Sequence, residues 1–162
     1  MDPVFPKPSH NHSQCVDEAI AAATRICREN NVRFTYLRKR VLELIWTSHK
    51  PVGAYDILSM MNESSDSRFA PMTVYRAIEF LIKNGLVHRI ESRNAYVGCR
   101  HPGATHEGQF LLCRHCGRFA EIEELEISKA LLIGAKRAGF DAVNPLIEIE
   151  GRCQDCRKPS RE

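Results

Sequence analysis

Four of the seven cysteines stand in two pairs whose spacing suits a metal ion. Cys113 and Cys116 form one C-x-x-C pair, and Cys153 and Cys156 form a second pair much later in the chain. Each pair can give a zinc ion two thiolates, and four thiolates leave no coordination position open. The pattern predicts a structural zinc site. The alternative is two reduced cysteine pairs or a redox couple.

Cysteine usage also indicates the cellular setting. The chain has no recognisable signal sequence and no apolar run near membrane-spanning length, so we expect a reducing, cytoplasmic location and no membrane partner. The net charge of +3 is mild, so any nucleic-acid contact must come from a local patch. An enzyme would need an open coordination position and a general base within reach. The sequence offers no such combination, so we expect no catalytic residue and no small-molecule substrate.

The elements that must position these cysteines form two sets. Apolar residues at helical spacing predict four helices, and two β-prone runs joined by a short polar turn follow them. Thr35 is the predicted N-cap of the second helix, and Gly85 is predicted to end the fourth. Helices followed by a hairpin are typical of a winged-helix domain. The predicted helices begin near Ser13, Tyr36, Ala54 and Pro71, and the predicted strands are Leu86–Ile90 and Ala95–Cys99.

Beyond the hairpin, a stretch rich in glycine and proline predicts a linker, and a smaller α+β unit follows. The expected fold is α+β, with an N-terminal winged-helix DNA-binding domain and a small C-terminal α/β dimerisation domain that contains the structural zinc. The expected boundaries are a mobile arm at 1–12, the winged helix at 13–99, a hinge linker at 100–108 and the C-terminal domain at 109–162. Inside the last domain we expect strands at 109–113, 118–122 and 146–150, and a helix at 127–138.

The fourth predicted helix carries polar and basic side chains opposite its apolar face. Tyr75 and Arg76 lie near its start, where a recognition helix directs side chains at base edges, and Arg76 is the expected base reader. The alternative is a solvated helix face with an ordinary mixture of charges. The hairpin that follows favours the first interpretation. Supporting contacts to DNA are expected from Tyr55, Thr73, Arg89 and Arg93.

Three short motifs follow one another along the chain, namely Thr73–Arg76, Gly85–Arg89 and Cys113–Gly117. They resemble the motifs of the ferric uptake regulator family, and the resemblance extends over nearly the whole chain. Through Val87–Ser92 and Asn94–Val97, the chain is most similar to the zinc uptake regulator branch of that family. Iron and manganese members carry a histidine-rich run before the first C-x-x-C pair, where this chain has Gly108–Leu112. That difference argues against iron.

The resemblance implies a homodimer that binds two zinc ions per chain, one structural and one regulatory. It also implies a repressor that binds an A·T-rich inverted repeat in double-stranded DNA when loaded with zinc, and so represses zinc-uptake genes. The implied ligands of the regulatory zinc are His88, Cys99, His106 and Glu121. One thiolate, two imidazoles and one carboxylate suit tetrahedral zinc better than iron(II) or manganese(II).

Several alternatives to this ligand set stay open. His101 is a rival to His106, and Glu123 or Glu124 would replace Glu121 if the strand register differs. His115 is expected at the surface. On the same fold, Cys99 could instead serve as a redox thiol in a sensor of peroxide, or the second site could hold another metal.

Overall fold

The computed structural model describes residues 5, 12–66, 68–103, 108–143 and 145–157. These residues form two compact units, one within Pro8–Ala104 and the other within Met1–Lys7 and Thr105–Glu162. The division falls inside the segment 100–108, whose role as a hinge stays a prediction. Most of the predicted arm at 1–12 lies outside the described residues, but His12 does not belong to an arm, because it is the first residue of a helix.

The N-terminal unit begins with four helices whose ends follow local chemistry. The hydroxyl of Thr35 accepts a hydrogen bond from the backbone N–H of Arg38 at 3.4 Å, which caps the second helix as predicted. At the end of the fourth helix Gly85 has φ +66°, and the N–H of Leu86 donates to the carbonyl of Leu81 at 2.9 Å. The helices are α1 His12–Glu29, α2 Tyr36–Trp46, α3 Ala54–Glu63 and α4 Pro71–Lys83.

The core of this unit lies where the apolar faces of the helices meet. Apolar residues at helical spacing on α2 and α4 are almost completely buried, among them Val41, Ile45, Val74 and Ile78. This packing fixes the orientation of α4, and with it the exposed face of that helix. Among the described residues, no helix is long and apolar enough to cross a membrane.

A small antiparallel sheet completes the N-terminal unit as a wing. Its strands are β1 Val87–Ile90 and β2 Ala95–Gly98, and Asn94 in the turn between them has φ +45°. A third component of the wing was not predicted from the sequence. Val52 forms a bridge with Tyr96 through backbone hydrogen bonds of 2.9 and 2.8 Å, which connects the start of α3 to the wing.

The C-terminal unit is a three-stranded sheet with a crossover helix. The strands are ordered β4-β3-β5, with β3 antiparallel to β4 and parallel to β5. The parallel pair needs a long connection, which α5 supplies. This unit is the small α+β domain expected from the sequence. Its elements are β3 Gln109–Cys113, β4 Phe119–Ile122, α5 Leu125–Arg137, β5 Ile147–Gly151 and the short helix α6 Gln154–Arg157.

Candidate metal centres and nucleic-acid interface

The structure brings the four paired cysteines of the C-terminal unit together. Cys113 ends β3 and Cys116 lies in the turn that follows, while Cys153 follows β5 and Cys156 lies in α6. The pairing of β3 with β5 places Cys113 opposite Gly151, two residues before the second pair of cysteines. All four sulfur atoms consequently lie within 4.8 Å of one another.

The spacing of these sulfurs fits a zinc ion. Two of them, Cys116 Sγ and Cys153 Sγ, are 3.8 Å apart. A tetrahedral site with Zn–S bonds of about 2.3 Å requires sulfurs about 3.8 Å apart. Cys113 and Cys153 are buried, and Cys116 and Cys156 are half-buried. Four thiolates at this spacing would hold zinc with no position left for a substrate.

The electrostatics of the cluster also favour a cation. Burial raises the pKa of the Cys113 thiol, but backbone N–H groups, including that of Cys116, outweigh it and lower the pKa to about 5. Burial likewise raises the pKa of Cys116, but hydrogen bonds from the side chain and backbone of Arg118, together with one from Cys156, outweigh it and lower the pKa. Desolvation and the neighbouring thiols raise the pKa of Cys156 to about 12. Because thiolates this close repel one another, a divalent cation is what would let all four ionise.

The wing places two candidate metal ligands side by side. His88 on β1 is opposite Val97 on β2, and Cys99 lies two residues beyond Val97 on the same face of the sheet. Potential ligand atoms of His88 and Cys99 lie within 4.8 Å of each other. His88 is half-buried, and Cys99 is buried at 2% exposure. One imidazole and one thiolate are half of a tetrahedral site.

The remaining candidate ligands have different environments. Glu121 on β4 is buried at 7% exposure and is opposite Phe110 in the sheet. Glu123 and Glu124, its rivals in the sequence, are exposed, as is His115. His101 is also exposed, whereas His106 lies outside the described residues. A buried carboxylate is unusual unless it is paired or coordinates a metal, which distinguishes Glu121 from its neighbours.

The start of α4 groups the residues expected to contact DNA. Arg76 is exposed, and Thr73 and Tyr75 are half-buried. Tyr55 on α3 is 70% exposed, and its ring meets that of Tyr75 edge-on with centroids 6.5 Å apart. The two tyrosines therefore lie together beside the first turns of α4.

On the wing, Arg89 is exposed, and its side chain contacts two residues of the turn between β1 and β2. Its guanidinium donates to Asn94 Oδ1 at 2.9 Å, and its Nε lies 3.4 Å from a carboxylate oxygen of Glu91. Arg93 is half-buried in the same turn. The wing thus presents arginines next to an acidic group, which weakens its positive field.

A residue that the sequence analysis did not select contributes to this face. Arg38 on α2 stacks on the ring of Phe80, with its guanidinium carbon 3.5 Å from the ring centroid. It lines a cleft of about 220 Å³ together with Thr73 and Arg76 from α4. Only folding brings the start of α2 to the start of α4, so helical periodicity gave no signal for this pairing.

The two units define a class of protein, namely a winged-helix protein with four clustered cysteines in its C-terminal unit. A family comparison makes the assignment specific. Residues 29–150 match the model of the ferric uptake regulator family. The chain belongs to the ferric uptake regulator family.

Individual relatives within the family carry zinc in their names. The chain is 35% identical over 140 residues to the zinc uptake regulation protein of Escherichia coli strain K12, covering 86% of this chain and 81% of that protein. A solved zinc uptake regulator complexed with zinc and DNA is 34% identical, with a TM-score of 0.81 over 87% of this chain and 94% of that one. The crystal structure of holo XcZur is 40% identical, with a TM-score of 0.78 over 86% and 97% of the two chains.

Proposed function

We propose that this protein is a zinc-responsive transcriptional repressor that binds an A·T-rich inverted-repeat operator when loaded with zinc and represses zinc-uptake genes. The observation that carries the proposal is the similarity, over most of the chain, to a zinc uptake regulator whose structure contains zinc and DNA. The proposal assigns the protein a cytoplasmic location, where such operators lie, and no catalytic activity.

The first proposed zinc ion is structural and is bound by Cys113, Cys116, Cys153 and Cys156. The sulfur spacing and the lowered pKa of Cys113 support it. The C-terminal unit contributes few fully buried side chains, and structural zinc can supply on the order of 10 kcal/mol of folding free energy. This ion would hold β3, β5 and α6 together.

The second proposed zinc ion is regulatory, and its ligands are His88, Cys99, His106 and Glu121. The adjacency of His88 and Cys99 on the wing supports half of this set, and the burial of the Glu121 carboxylate supports a third member. A thiolate among nitrogen and oxygen ligands favours zinc over harder divalent ions. His106 is proposed from the family resemblance.

Binding of operator DNA is assigned to the grouped residues at the start of α4 and on the wing. Arg76 would read base edges, and the other contacts would hold the DNA backbone. We propose that the residues involved are Tyr55, Thr73, Tyr75, Arg76, Arg89 and Arg93.

Dimerisation is assigned to the C-terminal unit, which exposes large apolar side chains. Ile133 on α5 is 53% exposed and Ile149 on β5 is 45% exposed, and Phe140 and Val143 after α5 are 64% and 85% exposed. Exposed apolar side chains in such number mark an interaction surface. A second copy of the chain would cover them, since an inverted repeat in DNA matches a protein of twofold symmetry.

The proposed mechanism links the regulatory site to the spacing of the two recognition helices. Its proposed ligands lie before, within and after the segment 100–108, so their binding of one ion would restrict that segment. In a dimer, restriction fixes the two α4 helices about 34 Å apart, as successive major grooves require. A shift from about 1% to 99% active protein needs roughly 5.5 kcal/mol of differential binding, which is within the range of a zinc site.

Removing ligands from the wing tests this function. We expect Cys99→Ser and His88→Ala to abolish zinc-dependent operator binding in gel-shift titrations, while the zinc held by the four paired cysteines is retained. Cys15→Ser and His115→Ala are matched controls outside the proposed site and should respond to zinc normally. The proposal is falsified if the Cys99 and His88 variants still bind operator in response to zinc.

A further inference from the structure

Arg118 is a buried cation directly beside the four cysteines, and zinc ligation alone does not account for it. It lies just before β4, and the residue is 8% exposed. Its Nε donates to Cys116 Sγ at 3.3 Å, and its Nη2 donates to Cys153 Sγ at 3.4 Å. The same Nη2 lies 2.8 Å from Asp155 Oδ2.

The two sulfurs that Arg118 contacts belong to different C-x-x-C pairs. Cys116 belongs to the turn between β3 and β4, and Cys153 to the segment between β5 and α6. The planar guanidinium offers donors at fixed positions, so one side chain can reach both sulfurs at once. Arg118 therefore connects the two halves of the cluster independently of any metal bond.

Burial of a guanidinium is costly unless its charge is paired. Asp155 supplies one anionic partner, but its side chain is 53% exposed, so solvent screens that contact. Among the described partners the sulfurs are the better buried, and they compensate the charge of Arg118 only as thiolates. The position of Arg118 thus matches the ionised form of the cluster, which is the form that binds zinc.

We infer that Arg118 is a positioning residue that clamps the two cysteine pairs and strengthens the binding of zinc at the structural site. This inference rests on the proposed function, because it takes the cluster to be a zinc site. Asp155 supports the clamp by holding one end of the guanidinium. Outer-shell partners of this kind typically contribute ten- to hundredfold in metal affinity.

Arg118→Met, Arg118→Lys and Arg114→Met test the clamp in the full-length protein. Arg118→Met keeps an unbranched, flexible side chain, although a shorter one, and removes its charge and donors. Arg118→Lys keeps the charge but cannot form the planar bridge. Arg114→Met is the matched control, because Arg114 lies in the same turn but is 74% exposed and paired with Glu150 at 3.2 Å.

Zinc retention is measured by competition with a chromogenic chelator after dialysis. We expect about a ten- to hundredfold weaker retention for both Arg118 variants and no change for Arg114→Met. Cobalt(II)-substituted protein supplies a second readout, since hydrogen bonds to sulfur raise the energy of the sulfur-to-cobalt charge-transfer band. Loss of the clamp should shift this band to longer wavelength in both Arg118 variants.

The outcomes separate the inference from its premise. Wild-type protein that retains no zinc after dialysis contradicts the structural zinc site itself. Wild-type protein that retains zinc, with Arg118 variants that hold it equally well and show an unshifted cobalt band, overturns the clamp alone. The clamp is also overturned if Arg118→Lys retains zinc as the wild type does while Arg118→Met retains it more weakly. In that case a positive charge would be enough, without the bridge between the two sulfurs. If Arg118→Met fails to fold, Asp155→Asn replaces it, and an unchanged retention and band in that variant count against the clamp.

Discussion

At the scale of single residues, the four paired cysteines were the functional residues that the sequence predicted most directly. Two C-x-x-C pairs predict a cluster without any knowledge of the fold, and the structure brings all four sulfurs together. The adjacency of His88 and Cys99 depends on strand register, which sequence alone does not fix. The contact of Arg118 with two of the sulfurs depends on tertiary folding, so no local pattern could have indicated it.

The choice between His101 and His106 is a prediction at this scale. We expect His106→Ala to weaken zinc-dependent operator binding strongly, because it removes one of four proposed ligands. His101→Ala should leave the response unchanged, since His101 is exposed. Zinc titration of both variants, followed by operator binding, makes the comparison. If zinc-dependent operator binding is lost in His101→Ala and kept in His106→Ala, then His101 is the ligand and His106 is not.

Arg76 gives a second residue-scale prediction. If Arg76 reads a base, Arg76→Ala should cost about 1–3 kcal/mol of operator binding and relax specificity at one position. Arg89→Ala should instead weaken all sequences alike and lower the salt slope by about 1, as loss of a phosphate contact does. Lys129→Ala on α5, an exposed cation in the other unit, is the control. Equal loss on specific and random DNA for Arg76→Ala would remove its proposed role.

At the scale of elements, the helices were predicted well because each combines an apolar face with local end signals. Thr35 and Gly85 act at the helix ends where the sequence placed them. Observed ends differ from the predicted ones by a residue or two, as at α5, which begins at Leu125. The bridge between Val52 and Tyr96 was missed because a single residue between Pro51 and Gly53 carries no periodicity.

The packing of Trp46 against the wing yields a prediction for this scale. A Cβ added at Gly98 would lie 2.1 Å from Trp46 Cε2, so the Trp46 ring or the backbone that carries either residue would have to move. We expect Gly98→Ala to lower the free energy of unfolding by about 1–3 kcal/mol, measured by denaturant titration. The cost should shrink when Trp46→Leu is present, in a double-mutant cycle. Additive effects of the two substitutions would show that this contact does not constrain the wing.

At the scale of the whole molecule, two proposed features, the dimer interface and the regulatory zinc site, each need more than a single folded unit. The helix α5 was predicted from its apolar spacing, yet Leu131 and Ile133 on it are exposed. Their burial in the proposed dimer would explain why an amphipathic pattern faces solvent in the single chain. The regulatory site also needs more than one unit, since its proposed ligands belong to both. The sequence alone indicated an apolar helix face and a set of possible metal ligands. Their roles in dimerisation and in zinc sensing are implied by the family resemblance.

The central claim is that a second, exchangeable zinc ion controls DNA binding while the first one maintains the fold. The most direct test is a zinc titration of the purified protein in which bound zinc per chain and operator affinity are read from the same samples. We predict that one equivalent persists at low free zinc without tight operator binding, and that operator affinity rises in step with a second equivalent. Operator affinity that is already maximal with one equivalent, or that stays unchanged as the second binds, would contradict the account.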